Sequence, residues 1–257
     1  RKMIFRSPQI ISFSYDDNIK PTLSVMQNYL KLSEDDLRKM ILTQPSIISS
    51  SFDNYTKPKL DAVQNYLNLS TDELRKMILR QPSIIGYSFD NNTKPTLDAV
   101  QNYLKLSTDE LRKMIFSSPQ IIGCSFDDNT KPTLDAVQNY LELSDDELRK
   151  MIVRLPSIVG CNFDDNIKPT LDTLQDRLEI SDAELKEMVV KMPPIISYSN
   201  MVPKLDWLQT TFDLNQLQLV KLVKKETMLM GVNLDKTLVP GVAFWRECFN
   251  DRTDAEA

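Results

Sequence analysis

Residues 70–106 read STDELRKMILRQPSIIGYSFDNNTKPTLDAVQNYLKL, and residues 107–143 say nearly the same again, with thirty of thirty-seven positions identical. Outward from that pair, the register holds along the chain. One set of prolines falls at Pro8, Pro45, Pro82, Pro119, Pro156 and Pro193. A second falls at Pro21, Pro58, Pro95, Pro132 and Pro169, and then at Pro203. Only a tandem repeat keeps two prolines in step in this way, and a repeat of about 37 residues points to a stacked array with no single large core.

Each copy carries two helix signals. Ser70-x-x-Glu73 is a capping box, a serine N-cap with a glutamate placed to reach back. Ser107/Glu110, Ser144/Glu147 and Ser181/Glu184 repeat it, with Ser33/Asp36 as a shorter variant. Leu74, Met77 and Ile78 follow at helical spacing, and Pro82 stops the helix because its ring cannot sit inside one. Pro82-Ser-Ile-Ile suits a short helical turn. In the second half, an Asn or Asp just before Lys94-Pro95 is expected to cap a helix whose apolar stripe is Leu97, Val100 and Leu104. No segment alternates with period two, so the fold class is all-α, a helical-repeat solenoid of about seven repeats. Repeats occupy 1–214, the first truncated at its start, and 215–257 form a degenerate C-terminal capping repeat and tail. There Asn215 replaces the capping serine, Thr227 replaces the first proline, and Trp207, Phe212, Phe244 and Trp245 are expected to close the core.

Composition narrows the chemistry. The 257 residues contain no histidine, which removes the commonest general base and metal ligand, and there is no Gly-rich phosphate loop, nucleophile elbow or cysteine cluster. A non-catalytic protein is expected, with no cofactor and no metal. Cys124 and Cys161 share one repeat position; repeats stacked about 10 Å apart are too distant for a disulfide, so these and Cys248 read as free buried thiols. No apolar run approaches the length of a membrane span. Arg1 falls in mid-repeat, so a preceding segment with a targeting peptide is expected.

The combination of P-x-I-I, K-P-x-L and L-x-L-S-x-x-E-L at fixed spacing resembles the mitochondrial transcription termination factor (mTERF) family over residues 1–240. The resemblance implies a curved left-handed superhelix, a mitochondrial or chloroplast location, and binding of double-stranded DNA or RNA on the concave face. It further implies a role in transcription termination or initiation, or in RNA processing or ribosome assembly. Two departures stand out. The charge is −5, where DNA-gripping members are basic, and the glycine of the family's L-G-L-S linker is here Lys31, Asn68, Lys105 or Glu142.

Three basic rows are the candidate nucleic-acid contacts, since repeating cations can follow a phosphate backbone. The first is the lysine before the second proline: Lys20, Lys57, Lys94, Lys131 and Lys168, with Lys204 one place late. The second is the arginine after the capping box: Arg38, Arg75, Arg112 and Arg149, each followed by a lysine. The third lies two residues before the first proline, where Arg6, Arg80, Arg154 and Lys191 alternate with Thr43 and Ser117. The same spacings fit helix-surface ion pairs, Arg75 and Lys76 standing three and four residues after Asp72. Residues 1–32 carry +3, whereas 107–143 and 144–180 carry −3 each. A nucleic-acid face is therefore expected toward the N-terminal half. The acidic C-terminal half offers the alternative, a protein-binding scaffold or assembly factor meeting a basic partner.

Overall fold

The computed structural model describes residues 5, 7–49, 51–198 and 201–253, with side chains through residue 249. The described elements are all helical: α1 (Lys20–Leu30), α2 (Glu34–Thr43), α3 (Lys57–Tyr66), α4 (Thr71–Arg80), α5 (Lys94–Leu104), α6 (Thr108–Ser117) and α7 (Lys131–Tyr140). Then follow α8 (Asp145–Arg154), α9 (Lys168–Leu178), α10 (Asp182–Lys191), α11 (Met201–Thr211), α12 (Gln216–Lys225) and α13 (Val239–Thr253). The protein is an all-α helical-repeat solenoid. Two compact units divide it, residues 1–134 with 156–160, and residues 135–155 with 161–257.

In the first unit the Ser70 repeat shows how the sequence makes the fold. Ser70 Oγ accepts the Glu73 amide proton (3.2 Å), and Glu73 accepts from the Ser70 amide (2.8 Å), so the box closes both ways. Leu74, Met77 and Ile78 are buried on one face of α4. Gln81 leaves the helix, and Pro82–Gly86 makes a 3-10 turn that buries Ile84 and Ile85. Phe89–Thr93 is then a single π-helical turn, with the Thr93 amide bonding back to the Ser88 carbonyl at 3.1 Å, and it runs straight into α5. This corrects the expected cap. Ser88, six residues before Lys94, accepts from the Asn91 amide (3.3 Å) and starts the turn; no Asn or Asp beside Lys94 does so. A wide π turn needs its donor-satisfying side chain at its own start, and so the cap moves upstream. Leu97, Val100 and Leu104 are buried as expected. Each such leucine contributes roughly 1.5–3 kcal/mol.

The second unit repeats the plan with Leu148, Met151 and Ile152 on α8, Leu171, Leu174 and Leu178 on α9, and Leu185, Met188 and Val189 on α10. The Asn215 repeat keeps a complete box, Gln218 standing in for glutamate and accepting the Asn215 amide proton at 2.9 Å. The closing aromatics depart from expectation: Phe212, Phe244 and Trp245 are 46%, 57% and 59% exposed. Trp245 sits between Phe244 and Phe249 in a surface row on α13, so these rings pair with one another and leave the core to Leu219, Val223 and Met230. Cys124, Cys161 and Cys248 stand outside any disulfide, as expected, but are only half-buried.

The linker residues Lys31, Asn68, Lys105, Glu142, Glu179 and Asp213 all adopt the left-handed region, φ 49–52°. That is the conformation the family's glycine permits without strain, and here non-glycine side chains hold it.

Candidate nucleic-acid interface

The three basic rows behave differently once folded. Lys57 Nζ lies 2.8 Å from Asp61, and that carboxylate also accepts from the Tyr29 hydroxyl of the preceding repeat. Lys94 and Tyr66 treat Asp98 the same way. Burial first, then the bond to Asp98, pushes the Tyr66 hydroxyl up to about 12, while Lys94 and Tyr66 hold Asp98 below the usual carboxylate range. The Tyr66 and Phe89 rings meet edge to face at 5.8 Å beside it. Tyr140, Asp172 and Phe163 repeat the hydroxyl bond and the ring contact in the second unit. The lysine row thus balances an aspartate that pins one repeat to the next. Lys20 is exposed without an ion pair among the described residues, since Ser24 stands where the aspartate would be. Lys168 is exposed likewise, and Lys131 is exposed and 5.8 Å from the Tyr103 ring centroid. Lys204 is not a member of this row. Val202 occupies the place before Pro203, and Lys204 is buried.

The arginine row is a second inter-repeat clamp. Arg112 Nη2 reaches Glu73, the capping glutamate of the preceding repeat, at 2.6 Å. Arg75 bonds Asp72 (2.6 Å) and leans on the Lys31 carbonyl of the linker before it (3.5 Å). Lys76 pairs with Asp72 at 2.7 Å, as its spacing requires. Arg149 stands 3.9 Å from Asp146. In the second unit Lys186 takes the clamp position, 3.1 Å from Glu147 and 2.7 Å from the Glu142 carbonyl, and Lys224 pairs with Glu184. The Nε atoms of Arg75 and Arg112 are buried, and the side chains are 31% and 32% exposed, so these guanidinium groups are only partly presented outward. Arg38 is exposed and without an ion pair among the described residues.

The third row keeps its charge. Arg80 is exposed, donates to the Phe116 carbonyl at the end of α6 (2.9 Å) and lies 5.3 Å from the Phe116 ring centroid. Lys191 donates to the Lys224 carbonyl at the end of α12 (3.3 Å). Both cations cap the carboxyl end of the next repeat's first helix, where the helix dipole favours them. Arg154 is exposed, and none of the three forms an ion pair among the described residues. Arg6 lies outside the described residues. Lys225, two residues before Thr227, continues the row, exposed and likewise without an ion pair. A search anchored on proline passes over it because threonine has replaced the proline; its place at the end of the Asn215 helix was the usable signal.

Among the described residues no cluster of metal-ligating side chains occurs, and no helix is long and apolar enough to cross a membrane. An acidic position also recurs. Asp16, Asp53, Asp90, Asp127, Asp164 and Asp235 are all exposed at the same place in the π-helical turn. The acidity is therefore a row along both halves.

A search of curated proteins finds no match to this chain. Against known families, residues 1–111 and 99–246 match mTERF in two overlapping segments, which together take in both capping boxes and proline registers. The chain belongs to the mTERF family of helical-repeat proteins.

Proposed function

We propose that this chain is a non-catalytic, organellar nucleic-acid-binding protein, of mitochondrion or plastid, that regulates transcription or RNA processing, and that it meets the phosphate backbone through the third row. One observation carries this reading. In the lysine and arginine rows Lys57, Lys94 and Arg112 are matched by Asp61, Asp98 and Glu73, while Lys20, Lys168 and Arg38 are not. In the row of Arg80, Arg154, Lys191 and Lys225, by contrast, no cation has a carboxylate partner among the described residues. Unneutralised cations recurring at one repeat position, here Arg80, Arg154, Lys191 and Lys225, are what phosphate tracking requires. Thr43 and Ser117 in the same row supply hydroxyls, so the row mixes charge with hydrogen-bonding groups.

Fluorescence anisotropy with single-stranded RNA and with duplex DNA, each at about 50 and 200 mM salt, tests the reading. Binding that falls steeply with salt is expected. Arg80→Ala with Arg154→Ala should weaken it and flatten the salt slope, while Asp127→Ala should leave it intact. Binding indifferent to the double substitution would remove the row from the function.

A second reading rests on the aspartate row. Exposed acids at one place per repeat, on a chain of charge −5, suit a basic protein partner of a scaffold or assembly factor. Absence of nucleic-acid binding at low salt, with capture of a polylysine peptide lost on Asp127→Asn and Asp164→Asn, would favour it.

A further inference from the structure

The repeat at Ser181 breaks register. From Pro193 to Pro203 the chain is three residues shorter than from Pro156 to Pro169, and the sequence of the recurring acidic turn is absent between Pro193 and Pro203. Lys204 follows Pro203 where the other repeats carry Thr22, Thr96, Thr133 and Thr170, Lys59 or Gly241. Thr96 donates its hydroxyl to the Cys124 carbonyl of the next repeat (3.4 Å). Lys204 extends in the same direction and donates to the Met230 carbonyl, with the Tyr198 ring centroid 6.0 Å from its ammonium.

Lys204 is 8% exposed, and it lines a cleft of about 580 Å³ with Tyr198, Asn233, Asp235 and Ser197. Tyr198 packs against Gly231, where a Cβ would come within 2.6 Å of the ring, so glycine is what leaves room for the ring beside the cleft. An ammonium carries three donors. One goes to Met230, and no carboxylate lies within ion-pair distance among the described residues. Burial lowers the lysine's own proton affinity, the mark of a charge held without a compensating partner. Such a charge is costly unless an anion comes to it. The corresponding cleft at Tyr87, about 490 Å³, is the control built into the chain: it has Thr96 in place of the lysine and Asp127 at its edge.

We infer that the cleft between Tyr198 and Asp235 binds a phosphate group through Lys204, with the hydroxyl and amide groups of Tyr198, Ser197 and Asn233 completing the oxyanion contacts. The source is either free phosphate or the phosphodiester of a nucleic acid. Asp235, exposed at the rim, works against the anion and limits its affinity. This site does not depend on the third basic row, so either can fail alone.

The test is titration of the full chain with inorganic phosphate at low ionic strength, followed by calorimetry or 31P NMR, and in parallel with the dinucleotide TpT, which carries only a phosphodiester. Millimolar or tighter binding of at least one probe is expected. Lys204→Thr, which restores the residue of the other repeats, should weaken it at least tenfold, and Asp235→Asn should tighten it several-fold. TpT competing with phosphate identifies a backbone contact; phosphate alone identifies a free anion. Should Lys204→Thr fail to fold, the exposed Asp235→Asn variant decides the question. Failure of the intact protein to bind either probe would overturn the site, as would affinity unmoved by the substitutions that fold. Loss of RNA and DNA binding with phosphate binding retained would overturn only the third-row reading.

Discussion

The joint between α3 and α5 and the joint between α9 and α11 do the same job with different chemistry. At the first, Tyr66 donates its hydroxyl to Asp98 and Lys94 supplies the balancing charge. At the second, Val202 has taken the lysine's place, and Arg177 has taken the tyrosine's. Its Nε bonds Asp206 at 2.9 Å, Nη2 bonds Gln209, and its own carbonyl accepts from Gln216 at 2.9 Å. A cation beside the aspartate persists while its point of attachment moves to the neighbouring repeat. The persistence belongs to the aspartate, which explains why a lysine before nearly every second proline is poor evidence of a ligand.

The broadest way to break the comparison is acid, because it reaches the capping glutamates that recur in both units. Ser70 backbone and hydroxyl bonds, then Arg112, draw Glu73 down to about 2; Ser144 and then Lys186 do so for Glu147, and Lys224 followed by Ser181 for Glu184. Their folded values lie below the unfolded value of 4.5, so their stabilisation is complete above about pH 4.5. It is lost as pH falls toward 2. Thermal melts between pH 7 and 2 should show the midpoint dropping through that window, and Glu73→Gln should blunt the drop. A midpoint flat to pH 2.5 would mean that the capping glutamates do not hold the array.

Next in size, Arg177→Ala removes three side-chain partners from a half-buried joint and should cost about 2–3 kcal/mol in urea unfolding. Tyr66→Phe keeps the ring contact with Phe89 and leaves Lys94 on Asp98, so it should cost only about 1 kcal/mol. Equal losses would mean that the two joints are not alternative solutions to one problem. The smallest effect lies in the linkers. Glu142→Gly relieves a left-handed residue and should stabilise by about 0.5–1 kcal/mol, whereas Asn68→Gly should gain less, since asparagine tolerates that region. Paired melts of the two variants measure the difference.

The repeat, both helices, the capping boxes and the buried stripes were legible in the sequence because each depends on residues within one turn of one another. The π-helical turn was not. Ser88 and Thr93 give no local sign of a five-residue spacing, and the lysine-proline pair drew attention to its own flank. The site was legible only as three rows of cations. The lysine row's partners stand four residues on, Asp61 for Lys57 and Asp98 for Lys94, whereas Arg112 finds Glu73 39 residues away. Periodicity aligns those residues without saying which side chains meet. Lys204 was misplaced for a simpler reason: a three-residue shortening preserves the proline and shifts everything before it.

Glu73 belongs to two structures at once, closing the box of its own helix and receiving Arg112 from the next repeat. The box forms from four consecutive residues, while the ion pair exists only when the neighbour is in place. A repeat deprived of its C-terminal neighbour therefore keeps its shape and loses part of its stability, so that the penalty falls on the boundary. Chains joined in this way melt in blocks longer than one repeat and fray first at their ends. The near-identity of the Ser70 and Ser107 copies then has a thermodynamic meaning: a copied capping glutamate carries with it the anchor for the next repeat's cation.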